Sequence, residues 1–156
     1  MAYGLKNVRQ DIRDRIAALD GSPYAQGAGT TTWRESKDVR GPMAGGDSGP
    51  YLHLSYAVQM DSAPNTYRNG DGAQGEARIR VQVLVEWVYQ VRGQKWGDVD
   101  LAMDAAEAIA SALLANPNAD YHIDLANLWI PRLLPDGKFL YVQQRFDVVY
   151  TTSLAT

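Results

Sequence analysis

Two histidines, eighteen carboxylates and no cysteine set the limits of what this chain can do chemically. His53 falls in an alternating segment and His122 at the start of another, and neither stands in a Ser/His/Asp or Cys/His pattern that would activate a nucleophile. Without a thiol, disulfide and thiolate chemistry are excluded and ordinary zinc ligation is disfavoured. The chain has no Gly-x-Ser-x-Gly elbow, no Gly-x-x-x-x-Gly-Lys-Ser/Thr phosphate loop and no His-Glu-x-x-His. Both histidines therefore read as surface or strand-edge residues. No catalytic residue is assigned, and the chain is expected not to be an enzyme.

Oxygen ligands are present in one loop. Asp61, Asn65, Asn69 and Asp71 lie near Gly70, and Glu76 follows that glycine at the six-residue spacing of a calcium loop. Asn65 stands where an acid is needed, and Tyr67 and Arg68 interrupt the set. The stretch reads as an acidic, turn-rich hairpin loop, and no metal or cofactor is expected.

Charge patterning is more informative. Asp100, Asp104 and Glu107 recur at i, i+4 and i+7 and share one helix face. Arg78 and Arg80 share the polar face of a strand. In an assembly, complementary faces of this kind fix register between subunits, so these five are candidates to meet across an interface. Trp87 and Trp129 sit among apolar neighbours and read as core. Trp96, between Lys95 and Gly97, reads as a packed loop anchor. Trp33, alone in a polar, glycine-rich stretch, is a candidate partner contact.

The elements that carry these residues follow from periodicity. Leu5, Val8, Ile12, Ile16 and Leu19 mark an amphipathic helix over 5–19, stopped by Asp20-Gly21. Leu52, Leu54, Tyr56 and Val58 mark a strand over 51–58. From Ala77 to Val91 every odd residue is apolar, which predicts a strand over 76–92. At about 3.3 Å per residue its alternating run covers about 50 Å, against about 17–20 Å for a common strand. Asp98 predicts the N-cap of an Ala-rich helix running to about 115. A third strand region, 121–134, is expected to bend at Pro131, and the Pro135–Lys138 turn leads into a second over-long strand, 139–153. The long loops 20–50 and 59–75 suit segments that become ordered against a partner.

The predicted architecture is a single α+β domain spanning 1–156, in the order α-β-β-α-β-β, with two hairpins in a mostly antiparallel sheet and helices on one face. The net charge of −3 gives no general attraction to nucleic acid. No stretch approaches a membrane span, and a soluble protein is expected.

The opening helix, this element order, the run ARIRVQVLVEWVYQV with its Ala-rich helix, and the closing FLYVQQRFDVVYTTSL together resemble the tail terminator, or tail completion, proteins of long-tailed bacteriophages. The resemblance implies a homo-oligomeric ring, typically a hexamer, that caps the tail tube, ends its polymerisation and offers a surface for head–tail joining. Its partners would be other copies of itself, the tail tube protein and a head-proximal neck or connector protein. DNA would pass through the channel without specific binding. Location would be the host cytoplasm during assembly and then the virion. Other readings are a different head–tail connector or minor tail component, and a small α+β enzyme or ligand-binding domain.

Overall fold

The computed structural model describes residues 4–24, 32–38, 40–43, 51–60, 65–69, 76–92, 96–115 and 121–153. They form two helices on one face of a six-stranded sheet, an α+β fold. The elements are α1 (Leu5–Ala17), β1 (Arg34–Glu35), β2 (Ser55–Met60), β3 (Asn65–Asn69), β4 (Glu76–Gln90), α2 (Trp96–Leu114), β5 (Tyr121–Leu133) and β6 (Phe139–Ser153). A single 3₁₀ turn, Ser22–Tyr24, follows α1.

The strand order is β1-β2-β4-β6-β5, with β3 pairing β4 beyond the end of β2. β2 and β3 thus lie end to end along one side of β4, Met60 opposite Val83 and Asn65 opposite Arg80. On its other side β4 pairs β6 antiparallel without interruption, from Glu76↔Ser153 to Gln90↔Phe139. Both anticipated antiparallel pairings are present, β2 with β4 and β5 with β6, but β3 intervenes between β2 and β4 and pairs β4 as well. Strand alternation sends Val81, Val83, Val85, Trp87 and Tyr89 of β4, with Val142, Phe146, Val148 and Tyr150 of β6, to one face. Val8, Ile12 and Ile16 of α1 and the alanine-rich side of α2 cover that face.

The small residues on α2 have a specific consequence. They let the helix backbone come close enough to the sheet for fully buried Gln144 to donate from Nε2 to the Ala106 carbonyl at 2.9 Å. The same amide accepts from Trp87 Nε1 at 2.8 Å. One side chain thereby ties β4, β6 and α2 together in the core and leaves neither of its own polar atoms unpaired. Arg15 performs a similar tie at the surface. It pairs with Asp11 at 3.2 Å, reaches the Ala112 carbonyl at 3.4 Å and lies over the Tyr121 ring, linking α1, α2 and β5.

Several boundaries differ from expectation. β2 begins at Ser55, because residues 51–54 turn instead: Ser55 N–H donates to the Leu52 carbonyl, and Leu54 has φ 61. That conformation costs a branched residue about 1–2 kcal/mol, and complete burial of Leu54 holds it in place. β1 and β3 lie in stretches read as loops. α2 begins at Trp96, so Asp98 sits inside the first turn and is not the N-cap. In β5 the ladder to β6 shifts between Leu125 and Asn127 and again before Ile130, so the distortion precedes Pro131, which pairs with Val142 on the edge strand.

Candidate interaction surfaces

The polar face of β4 is wet over only half its length. Arg78 and Arg80 are exposed, whereas Leu84, Glu86 and Val88, on the same side, are buried. The segment around Gly41 folds over them. Gly41 has φ +93, and a Cβ there would lie 1.9 Å from Glu86 Oε1, so only glycine fits. Tyr51, Val88 and Leu134 form a second small apolar cluster under this flap, with Met43 packed against it. Glu86 is 5% exposed. Its carboxylate accepts from the Tyr141 hydroxyl and, at 3.4 Å, from Gln59 Nε2. Burial first, and then the neighbouring carboxylate, push the Tyr141 hydroxyl well above its ordinary pKa, so it stays a donor. A cleft of about 430 Å³ adjoins it, between Met43, Pro131, Arg132 and Gln143.

The uncovered half of that face carries Arg78, Arg80, Arg145 and Asp147. Arg80 is paired inside the chain, Nη2 to Asp147 Oδ2 at 3.3 Å. The three α2 acids Asp100, Asp104 and Glu107 are exposed, as their spacing implied. They stand on the helix side of the sheet, and the arginines stand on the other. The two sets cannot meet within one subunit.

Trp33 is not a surface contact. It is 3% exposed and stacks edge-on against Trp87, ring centroids 5.4 Å apart at 83°. Its indole N–H has no hydrogen-bond partner among the described residues. Trp96 reverses in the opposite direction: expected to pack, it stands 82% exposed at the start of α2. Trp87 is core, and Trp129 is partly buried against the core.

His53 is likewise not a surface residue. Nδ1 accepts the Gln90 backbone N–H at 2.9 Å, and the opposite nitrogen reaches the Tyr24 carbonyl at 2.6 Å. An imidazole that accepts at one nitrogen and donates at the other is neutral. Burial, the largest cause, lowers its pKa, and the charges of Arg92 and Arg34 add to that, while the Tyr24 carbonyl opposes it. His122 is exposed and 2.8 Å from Asp124. Of the possible calcium ligands, Asn65 and Asn69 lie in β3 and Glu76 opens β4, so they belong to paired strands and not to a single loop. Asp61 and Asp71 fall outside the described residues.

At the β1 end of the sheet, α1 and β1 enclose a cleft of about 420 Å³. Glu35 lies between Arg13 Nη2 at 2.5 Å and Arg9 Nη2 at 3.8 Å. Two guanidinium groups on one carboxylate make a charge-assisted clamp, and Ser36, Lys37 and Asp38 complete the polar wall of the cleft. Tyr56 donates its hydroxyl to the Arg13 carbonyl, and burial together with Glu35 pushes its pKa up to about 12.

Here the sheet edge is closed by a side chain. The parallel ladder runs from Arg34 N to the Leu54 carbonyl and from Ser36 N to the Tyr56 carbonyl. The next acceptor, the Val58 carbonyl, is taken by Arg9 Nε at 3.0 Å. At the other end β5 carries Pro131 and two register shifts. Both ends of the sheet thus bear devices that discourage strand addition.

No protein-family model matches the chain, and comparison with curated proteins finds no match. No helix among the described residues is long and apolar enough to cross a membrane.

Proposed function

We propose that this chain is a non-enzymatic assembly protein that forms a ring at the head-proximal end of a long-tailed phage tail. There it caps the tail tube, stops polymerisation and presents a joining surface to a neck or connector protein. The observation that carries this reading is the β4–β6 ladder. Its last core pair is Ile79↔Tyr150, and Arg78↔Thr151, Ala77↔Thr152 and Glu76↔Ser153 continue past it. β5 ends its pairing at Tyr121↔Tyr150, so among the described residues β3 alone flanks that extension. Three more pairs at about 3.3 Å each carry the ladder about 10 Å beyond that last core pair.

Two further features support the reading. The deepest polar groups, Gln144, Glu86 and His53, are consumed in holding elements together. Of the six exposed large apolar residues among the described ones, all but Leu52 (Trp96, Met103, Leu114, Leu125 and Leu133) lie on α2 and β5, where a neighbour could cover them. The test is to add the purified protein to polymerising tail-tube subunits and measure tube length and end occupancy by electron microscopy. Capped ends and arrested growth are expected. Tubes of unchanged length with bare ends would refute the proposal.

A further inference from the structure

Two flanks at opposite ends of the strand order carry complementary side chains. On α2, Trp96, Asp100, Met103, Glu107 and Leu114 follow at steps of four, three, four and seven, and all five are exposed. Such steps draw one line along a helix. The helix contains four acids and no lysine or arginine. Its side toward α1 is marked by Ala112, whose carbonyl receives Arg15. At about 100° per residue, the Trp96–Leu114 line runs on the far side from Ala112. That side overhangs β5, the last strand at this end of the sheet.

α1 shows the opposite arrangement. Asp11 and Arg15 face inward, to Tyr121 and α2. Lys6, Arg9 and Arg13, at i, i+3 and i+7, share the other side, where Arg9 and Arg13 meet Glu35 of β1 and Lys37 stands two residues beyond that strand. Glu35 neutralises part of this charge through Arg9 and Arg13. Lys6 and Lys37 are exposed and make no ion pair among the described residues. The cleft of about 420 Å³ opens between Arg9, Arg13 and Lys37, with Glu35 and Asp38 also in its wall.

Resting on the ring reading above, we infer that the Trp96–Leu114 line of one copy docks on the Lys6–Arg9–Arg13–Lys37 flank of the next copy. Charge complementarity selects the occupant: an acidic line with apolar members meets a basic flank with a recess. Side chains must make the contact, because Arg9 closes β2 and Pro131 with its preceding shifts blunts β5. The acids meet cations, and the exposed indole has guanidinium groups to lie against. Since the two flanks differ, the contact is head-to-tail, and its repetition gives a ring if the rotation closes. Arg78 and the Arg80–Asp147 pair then lie outside this contact.

The test uses two charge-reversed variants, D100K/E107K and K6E/K37E, each on exposed positions and each checked for unchanged far-UV circular dichroism. Mass photometry and native mass spectrometry read the assemblies. Wild type is expected to form a closed oligomer. Each variant alone should lose it, with association at least tenfold weaker. A one-to-one mixture should restore it, with equal numbers of the two variants alternating, because each reversed flank then meets its complement. Variants that assemble as wild type does, or a mixture no better than its parts, overturn the flank assignment while leaving the ring standing. Wild type that remains monomeric, alone and with tube subunits, overturns the ring reading and the flank assignment with it.

Discussion

Gln144→Leu should destabilise the protein although it replaces a buried polar residue with an apolar one of similar size. The substitution strands the Trp87 indole N–H in the core, which costs about 1–3 kcal/mol, and it removes the bond to the Ala106 carbonyl, about 0.5–1.5 kcal/mol. Ala106 lies within α2, so its carbonyl keeps its helical partner and the second loss stays at the low end. The added apolar burial offsets part of the sum. A net loss of about 2 kcal/mol is expected, and at roughly 2–4 °C per kcal/mol for a domain of this size the thermal midpoint should fall by about 4–8 °C. The decisive measurement is a double-mutant cycle with Trp87→Phe, read by urea denaturation and circular dichroism at a concentration where association contributes nothing. Removing both partners relieves the stranded donor, so the two losses should be non-additive by about 1–2 kcal/mol. A Gln144→Leu midpoint at or above that of wild type, or a cycle additive within about 0.3 kcal/mol, would refute this account of the core.

Gly41→Ala should cost at least about 1–2 kcal/mol from the left-handed backbone alone, plus displacement of the Glu86 carboxylate. Thermal unfolding and faster proteolysis near residues 38–43 would report it, and wild-type values for both would contradict the close approach. His53 makes stability pH-dependent in a defined direction. Its folded pKa is depressed by burial, so below about 6.5 the unfolded chain takes up a proton that the folded one resists. Stability should be full above that pH and erode as pH falls through and below it, with His53→Gln flattening this part of the profile. A wild-type profile flat from pH 7 to 5.5 would contradict the neutral clamp. Trp96→Ala should leave the thermal midpoint within about 0.5 kcal/mol equivalent yet weaken self-association at least tenfold by mass photometry. A loss of stability with association intact would place that indole back in the fold.

Much of the fold was legible because its largest elements obey a strict period. The core side of β4 is apolar at every second residue, β6 follows the same period except at Gln144, and α1 repeats Val8, Ile12 and Ile16 at four-residue steps. The elements that could not be read carry no period. Arg34–Glu35 is a strand only because Ser55 and Tyr56 lie beside it, and Asn65–Asn69 has a single aromatic, Tyr67, among polar residues. Trp33 misled for the same reason, since its partner is Trp87, far along the chain, and nothing near it in sequence announces burial. His53 was misplaced because local alternation says nothing about the Tyr24 carbonyl that reaches it. Gly97 obscured the start of α2 and hid that Trp96 belongs to the helix. The exposed acids of α2 were read correctly, since spacing alone fixes a shared face. Their separation from Arg78 and Arg80 by the thickness of the sheet required the fold.

The uninterrupted β4–β6 ladder also bears on synthesis. β4 is translated before α2, β5 and β6, so the strand that pairs with it along its entire length arrives last. During that interval β4 can be held from one side by α1, β2 and β3, while its other side offers the unsatisfied backbone groups of every second residue along a fifteen-residue strand. Closing pairs as distant as Glu76 and Ser153 is slow compared with forming the local β5–β6 hairpin. That hairpin is therefore expected to dock onto β4 as a finished unit. A chain halted before Ser153 presents an open edge that a complete chain does not, so the ladder ties correct closure to completion of β6.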